Sequence, residues 1–128
     1  MPETGNIVIK GGVKPWPHEL RTAEALAAHG LTVTFLVRKE GEHQSSADVE
    51  IDGIEWEMKS PISNNLSNVQ KTLRKAAHQS SCIIYDSQRV KNLTDQQIER
   101  ELRKQAKAFR SIKHVIFVTK KRNLIDIK

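Results

Sequence analysis

The sequence contains little of three features, each of which would indicate a particular class of protein: cysteine, long apolar runs and aromatic residues. Its single cysteine, Cys82, excludes an internal disulfide and a cysteine-based zinc cluster. No apolar run approaches the roughly 18 residues of a membrane span, and the N-terminus lacks the apolar core of a signal peptide. Aromatic residues make up only 5% of the chain, which argues against an extended stacking platform for single-stranded nucleic acid.

Basic residues, in contrast, are abundant. The 128 residues include 21 Lys and Arg against 15 Asp and Glu, which gives a formal net charge of +6. A chain of this length is the size of one domain with a modest core. We therefore expect a tail or linker over residues 1–16 and a single domain over residues 17–128. The charge favours a polyanionic partner, although basicity alone does not identify one.

The segment that organises the sequence is ADVEIDGIEWEMK, residues 47–59. Two runs of alternating apolar and polar residues flank Asp52 and Gly53, and this pattern predicts a hairpin with a two-residue turn. The turn fixes the register, because opposed side chains share one face of the sheet. The apolar face of the hairpin then consists of Val49, Ile51, Ile54, Trp56 and Met58.

The other face of the hairpin carries two pairs of like charges. Asp48 is predicted to oppose Glu57, and Glu50 to oppose Glu55. Such a pair destabilises a sheet by up to about 1 kcal/mol. For Glu50 and Glu55, close to the turn, exposure to solvent is a sufficient explanation. For Asp48 and Glu57, with Lys59 on the same side, a divalent cation between the carboxylates is an alternative to simple solvation.

Pro17 is placed to begin a helix over residues 17–29, and Gly30 to end it. Glu19 lies in the first turn, where the helix dipole favours an anion. Its spacing from Ala23 and Leu26 puts it on or beside the buried face. Glu19 is therefore either a partner of the helix dipole or a third carboxylate at the hairpin site.

The remaining pattern predicts alternating strands and helices. A strand over residues 31–37 and a polar loop over residues 38–46 precede the hairpin. Asn64 or Asn65 is expected to cap a helix over residues 66–79, and a capping box at Thr94 to begin a helix that reaches Phe109. Short apolar runs predict strands over residues 82–86, 114–119 and 124–127. The fold class is therefore α/β, with a mixed central sheet and flanking helices.

Both later helices carry a basic stripe, whose alternative explanation is a solvated face. The first stripe consists of Lys71, Arg74, Lys75 and His78, and the second of Arg100, Arg103, Lys104 and Lys107. Such stripes can hold backbone phosphates without reading sequence. Gln70 borders the core side of its helix and is a candidate for pointing toward the hairpin.

Glu19, Asp48 and the sequence Glu57-Met58-Lys59, in helix-strand-strand-strand-helix-strand order, resemble the PD-(D/E)xK nuclease superfamily. Ala47 replaces the proline for which the superfamily is named. The phrase HELRTAEALAAHG…SADVEIDGIEWEMKSP is also similar to the C-terminal nuclease domains of CdiA-type contact-dependent growth inhibition effectors. The resemblance implies a restriction-endonuclease-like αβββαβ core, followed here by a helix and two strands.

For the active site, the resemblance implies a metal-dependent nuclease. Asp48 and Glu57, with Glu19 as an outer ligand, are expected to bind one or two divalent ions. Lys59 is expected to orient the attacking water or neutralise charge on the phosphate, and Gln70 to position substrate. Magnesium is the default for an all-oxygen site, and zinc and manganese also fit carboxylate ligands.

The same resemblance implies a toxin that cleaves RNA, most simply tRNA, in the cytoplasm of target bacteria. It further implies that the chain is the C-terminal part of a larger secreted or cell-surface effector, and that an acidic immunity protein inhibits it. Three alternatives stay open: a DNA-cleaving toxin of the same fold, a metal-independent RNase like barnase or EndoU, and a basic nucleic-acid-binding domain without activity. The histidines at positions 18, 29, 78 and 114 form no convincing catalytic pair for the second alternative.

Overall fold

The computed structural model describes residues 4–37 and 47–128, so the loop predicted over residues 38–46 lies outside the described residues. The elements, in chain order, are β1 (Ile7–Ile9), α1 (Pro17–Ala28), β2 (Val33–Phe35), β3 (Val49–Ile51), β4 (Ile54–Lys59), α2 (Asn68–Ala77), β5 (Cys82–Asp86), α3 (Asp95–Ala108), β6 (His114–Val118) and β7 (Leu124–Asp126). Within the described ranges, no helix is long and apolar enough to cross a membrane.

The strands form one mixed sheet in the order β1-β2-β3-β4-β5-β6-β7. Strands β4, β5 and β6 run parallel to one another, β1 is parallel to β2, and the remaining neighbours are antiparallel. The carboxyl ends of β4, β5 and β6 therefore meet at the same edge of the sheet. The predicted α/β class with a mixed central sheet is confirmed.

The helices cover the sheet on two sides. Ala23 and Leu26 of α1 pack with Phe35 and Met58 in one core cluster. The second cluster contains the apolar residues of α2 and α3, represented by Leu73, together with those of β5 and β6 whose side chains point the other way. Neighbouring residues of a strand point to opposite faces, so a side chain of β4 faces either α1 or α2.

The hairpin has the predicted turn and register. Asp52 and Gly53 both have positive φ, 51° and 79°, as a type I′ turn requires. Val49 pairs with Trp56, and the described ladder between β3 and β4 ends there. Beyond Trp56, β4 pairs instead with β5, starting at Glu57. The two strands of the hairpin therefore part at the position of the predicted carboxylate pair.

Local differences from the sequence predictions occur at element ends. Helix α2 begins at Asn68 with Ser67 at the N-cap position, two residues later than predicted. Asn65 caps the turn just before the helix, because its side-chain oxygen accepts bonds from the N–H and hydroxyl of Ser67, each 3.0 Å long. The predicted capping box of α3 is confirmed, with Thr94 accepting from the Gln97 N–H at 3.1 Å.

The N-terminal segment contains a strand where the sequence predicts only a tail or linker. Strand β1 pairs in parallel with β2, and its three residues are too few to give a periodic pattern. Just before it, Gly5 donates its N–H to the Ala27 carbonyl at 2.7 Å. A Cβ at Gly5 would lie 1.9 Å from the Leu31 carbonyl oxygen, so this close approach requires glycine.

A buried ion pair fixes α1 to the edge of the sheet where β5 ends. The carboxylate of Asp86, fully buried, accepts two bonds from the Arg122 guanidinium, at 2.8 and 2.9 Å. It also accepts the Thr22 hydroxyl of α1 at 2.5 Å and the Gln88 N–H at 2.8 Å. Such complete satisfaction is what a buried carboxylate needs.

We predict that Gly5→Ala lowers the free energy of unfolding by about 1–3 kcal/mol, the usual range for overpacking. The added methyl group would push the chain away from Leu31 and weaken the pairing of β1 with β2. Thermal unfolding measures the effect. The matched control is Gly11→Ala, where an added Cβ meets nothing within 4 Å. Equal unfolding temperatures for the two variants would contradict the packing of β1.

Candidate active site

The functional candidates converge on a cavity of about 510 Å³ at the carboxyl end of β4. Helix α1, the hairpin, α2 and the loop after β5 all contribute to its wall. The lining residues are Trp16, His18, Glu19, Asp48, Glu57, Met58, Lys59, Ser60, Pro61, Asn68, Thr72, Lys75, Gln79 and Arg89. All four residues predicted to be catalytic, Glu19, Asp48, Glu57 and Lys59, are among them.

Asp48 and Glu57 lie in direct contact at the point where β3 and β4 part. They are 6% and 3% exposed, respectively, and their side chains share a hydrogen bond. Asp48 is fixed on two sides, because its N–H donates to the Trp56 carbonyl at 3.0 Å and its Oδ2 accepts the Met58 N–H at 2.9 Å. Its carboxylate thus occupies the gap left by the missing backbone ladder.

Glu57 is the most perturbed carboxyl group of the site. Burial, followed by the hydrogen bond and charge of Asp48, raises the pKa of Glu57 to about 8, while Lys59 acts in the opposite direction. The Lys59 Nζ lies 3.1 Å from Glu57 Oε2. The other oxygen, Oε1, is buried and has no hydrogen-bond partner among the described residues. Without a cation, burial beside Asp48 therefore favours the protonated form of Glu57, and its Oε1 is available to a ligand.

Glu19 borders the same cavity, and its carboxylate also accepts a hydrogen bond at the start of its own helix. Its Oε1 accepts the Trp16 N–H at 2.8 Å, which anchors the first turn of α1. Across residues 4–37 and 47–128, no group of three His, Cys, Asp or Glu side chains stands close enough to hold a metal ion. The structure therefore brings two of the three predicted metal ligands, Asp48 and Glu57, into contact and places Glu19 beside them.

Helix α2 presents a different face to the site than the one predicted. Asn68, Thr72 and Lys75, spaced at helical intervals, line the cavity, and so does Gln79 just after the helix. Of the predicted stripe, only Lys75 is among the lining residues. Gln70 and the other stripe residues, Lys71, Arg74 and His78, are exposed and do not line it. The predicted position of Gln70 near the hairpin is wrong, because packing rotates that face of α2 into solvent.

The basic stripe of α3 is separate from the carboxylates. No residue of α3 lines the main cavity. Arg103, Lys104 and Lys107 instead line a second cavity of about 400 Å³ together with Lys128, while Arg100 is exposed. One of these charges is already engaged, because the Arg103 guanidinium lies 3.0 Å from Glu99.

Sequence reasoning did not assign three further functional side chains of the cavity wall to this site: Arg89, His18 and Trp16. Arg89 follows β5 and donates its Nε and one terminal nitrogen to the Ser60 carbonyl, the Nε bond being 2.9 Å long. His18 and Trp16 stand at the start of α1, with their rings stacked at a centroid distance of 6.5 Å. Partial burial, followed by the charge of Arg89, lowers the pKa of His18. Their sequence signal is weak because none lies in a periodic stripe.

Residues 45–124 match the family described as the contact-dependent growth inhibition CdiA C-terminal domain. The chain belongs to this family. The matched range includes Asp48, Glu57, Lys59, Lys75 and Arg89, and it begins after α1. No curated protein matches the sequence.

The fold of this CdiA C-terminal domain is similar to that of a solved structure. A chain described as the CdiA-CT/CdiI toxin and immunity complex from Burkholderia pseudomallei matches with a TM-score of 0.70. The two sequences are 21% identical, and the match covers 97% of this chain and 99% of the other. At this identity the likeness establishes a shared fold, and it extends over the whole described architecture, including α1.

We predict that Glu57→Gln stabilises the metal-free protein as the pH rises. The pKa of Glu57 is raised from 4.5 to about 8 on folding, so the stability tied to its proton is complete below pH 4.5 and is lost as the pH rises through 8. Glutamine cannot ionise and avoids this loss. In EDTA near pH 8, we expect the variant to gain about 1–3 kcal/mol in unfolding free energy.

The control is Glu55→Gln on the same hairpin, whose side chain is exposed. It should follow the parent protein across the whole pH range. Parallel curves for parent and Glu57→Gln, measured by thermal unfolding between pH 4 and 9, would contradict the raised pKa.

Proposed function

We propose that this CdiA C-terminal domain is a metal-dependent endonuclease toxin that cleaves RNA, with tRNA as its substrate. The single observation that supports hydrolysis of a phosphodiester is the contact between Asp48 and Glu57, whose Oε1 is buried without a partner among the described residues, in a cavity that three basic side chains also line: Lys59, Lys75 and Arg89. The choice of RNA and of tRNA rests on the resemblance to CdiA-type nuclease domains.

The residues fit a divalent cation with few protein ligands. Two adjoining buried carboxylates repel each other unless a proton or a cation lies between them, and an oxygen without a partner costs about 1–3 kcal/mol when buried. Magnesium commonly takes only one or two carboxylates and completes its shell with water and phosphate oxygens. Asp48 and Glu57 would hold the ion, which supplies charge to polarise the phosphate and acidify water.

The basic side chains at the cavity have separable tasks in this proposal. Lys59, ion-paired with Glu57 at 3.1 Å, is placed to orient water or to neutralise charge developing on the phosphate. Lys75 enters from α2 and Arg89 from the loop after β5, so they approach the carboxylates from other elements. They would bind the phosphates of the substrate, a geometry that gives affinity without base selection. The exposed stripes of α2 and α3 would contact more distant backbone.

A second candidate is a metal-independent RNase at the same cavity. His18, with its lowered pKa, and Glu57, with its raised pKa, line the cavity together. A neutral imidazole can accept a proton and a protonated carboxyl group can donate one, so the two residues could serve as general base and general acid. Chelation separates the two candidates, because only the first requires a cation.

We predict that EDTA and the substitution Asp48→Asn each abolish cleavage of total tRNA by the purified domain. Lys59→Ala should lower the cleavage rate about 100-fold or more but retain metal binding in calorimetry, because a charged lysine is not a ligand. Asp48→Asn should lose both, since it removes one of the two carboxylates. Gel electrophoresis of tRNA and of plasmid DNA gives the activity and its substrate class.

Glu55→Gln, on the same hairpin but exposed, is the control and should cleave normally. Cleavage that persists in EDTA but disappears on His18→Ala would support the second candidate. Cleavage unchanged by all these variants would contradict the site, and circular dichroism would identify any variant that merely unfolds.

We further propose that the domain is delivered into target bacteria from a larger effector and is held inactive at its source by an immunity protein. The support is membership of the CdiA C-terminal family and the description of the structural relative as a toxin and immunity complex. A toxin of net charge +6 would associate rapidly with an acidic partner. Coverage of the cavity that holds Lys75 and Arg89 would block nucleic acid entry.

We predict that the neighbouring reading frame encodes an acidic protein that binds the domain tightly and protects cells expressing it. Lys75→Glu should weaken this binding about tenfold or more, because it reverses a charge at the cavity. The control Lys113→Glu makes the same charge change just before β6, at the opposite end of the parallel strands. Pull-downs over a salt series measure both. A basic neighbour that does not bind, or a domain harmless to cells without any partner, would contradict the toxin assignment.

A further inference from the structure

One exposed apolar side chain of this domain, Trp16, is aromatic and lies beside the candidate active site. Among the described residues, the large exposed apolar side chains are Val8, Ile9, Trp16, Val37, Ile54 and Ile62. All but Trp16 are aliphatic. The Trp16 side chain is 62% exposed, although burial of an indole in a core would be strongly favourable. An exposed indole offers a large flat apolar surface to a ligand.

The backbone holds Trp16 in a fixed position. It lies between Pro15 and Pro17, and its φ of −67° and ψ of 151° are the extended values that a following proline favours. Its N–H donates to Glu19 Oε1 at 2.8 Å. The indole is therefore presented from an ordered turn at the start of α1, so little conformational entropy is lost when a ligand binds it.

The Trp16 indole already stacks on one aromatic neighbour, the His18 imidazole. The two ring planes are inclined by only 13°, and their centroids are 6.5 Å apart. The high exposure of Trp16 leaves much of the indole accessible to another flat group. Planar aromatic groups bind one another in offset parallel arrangements of this kind.

Trp16 also stands between two cavities that share two acidic residues, Glu19 and Asp48. It lines the main cavity together with Lys59, Lys75 and Arg89. With Glu19 and Asp48 it also lines a neighbouring cavity of about 210 Å³, whose apolar wall includes Phe35. A ligand seated on Trp16 can thus place an anionic group among the cations while its flat part contacts the indole. A nucleotide has this combination of groups.

We propose that Trp16 is a substrate-binding residue that stacks on a single unpaired nucleobase next to the phosphate held at Asp48 and Glu57. The inference rests on the proposed nuclease function and adds to it the form of the substrate: a nucleotide whose base is turned out of a helix or lies in a loop. One ring can hold only one base, which agrees with the aromatic content of 5%. Base stacking tolerates any base, so Trp16 would select unpaired structure rather than sequence.

The test is nucleic acid binding in the Lys59→Ala background, in which cleavage is expected to be slowed about 100-fold or more. The probes are a short single-stranded oligoribonucleotide and the same oligonucleotide with abasic sites. Because the chain has two tryptophans and Trp56 is buried, a Trp56→Phe substitution leaves Trp16 as the fluorescent reporter. We expect the base-containing probe to quench Trp16 and to bind about tenfold more tightly than the abasic probe.

In the same background with Trp56 retained, Trp16→Ala should remove that tenfold preference, measured by fluorescence anisotropy of a labelled probe, and Trp16→Phe should recover most of it. Ile54→Ala, at an exposed apolar position on the hairpin turn, is the control and should leave binding unchanged. Loss of Trp16 affects neither Lys75 nor Arg89, so binding of the abasic probe should persist.

Each of the other outcomes would contradict a specific proposal. Equal affinity for the two probes, or unchanged binding by Trp16→Ala, would overturn the stacking role while leaving the nuclease proposal intact. A failure of the Lys59→Ala protein and of the parent protein in EDTA to bind either probe would count against the nuclease proposal itself. If Trp16→Ala weakens only the complex with the immunity protein, the indole is a protein contact and the inference is wrong.

Discussion

Strand β4 changes partner along its length, from β3 at residues 54–56 to β5 at residues 57–59, and the site depends on this change. Where the β3 ladder stops, the Met58 N–H donates to a side chain, Asp48 Oδ2, rather than to backbone. Buried N–H groups require an acceptor, so Asp48 completes the sheet and stands beside Glu57 at once. The same carboxylate that stabilises the fold raises the pKa of its neighbour.

The sequence was most informative where interactions are local. Asp52 and Gly53 fix the turn, and the alternation of residue types fixes which side chains meet, so the contact of Asp48 with Glu57 was predictable. The face of α2 that meets the site was not predictable, because the face at Gln70 and the face at Thr72 are related by a rotation about the helix axis that only packing sets. Arg89 and Trp16 lie in connecting segments, where residue pattern assigns no direction to a side chain.

The pairing of β1 with β2 shows another limit of prediction from the sequence. Three residues provide no period, and the contact that requires glycine at position 5 joins it to Leu31, which is distant in sequence. The buried ion pair of Asp86 and Arg122 likewise joins residues 36 positions apart. Such contacts depend on the completed fold. Their effect is to hold α1, and with it Trp16 and Glu19, against the edge of the sheet where the carboxylates lie.

The two parts of the candidate site therefore come from different segments of the chain. The carboxylates, Lys59 and the phosphate-binding candidates lie within the range that matches the CdiA C-terminal family, residues 45–124, whereas Trp16 and Glu19 precede it. The bond between Thr22 and Asp86 connects these parts, because it ties α1 to the strand beside β4. In the proposed enzyme, phosphate chemistry belongs to the sheet and recognition of an unpaired base to α1. Substitutions at the start of α1 would then alter how tightly an unpaired base is held while leaving the proposed hydrolytic residues in place.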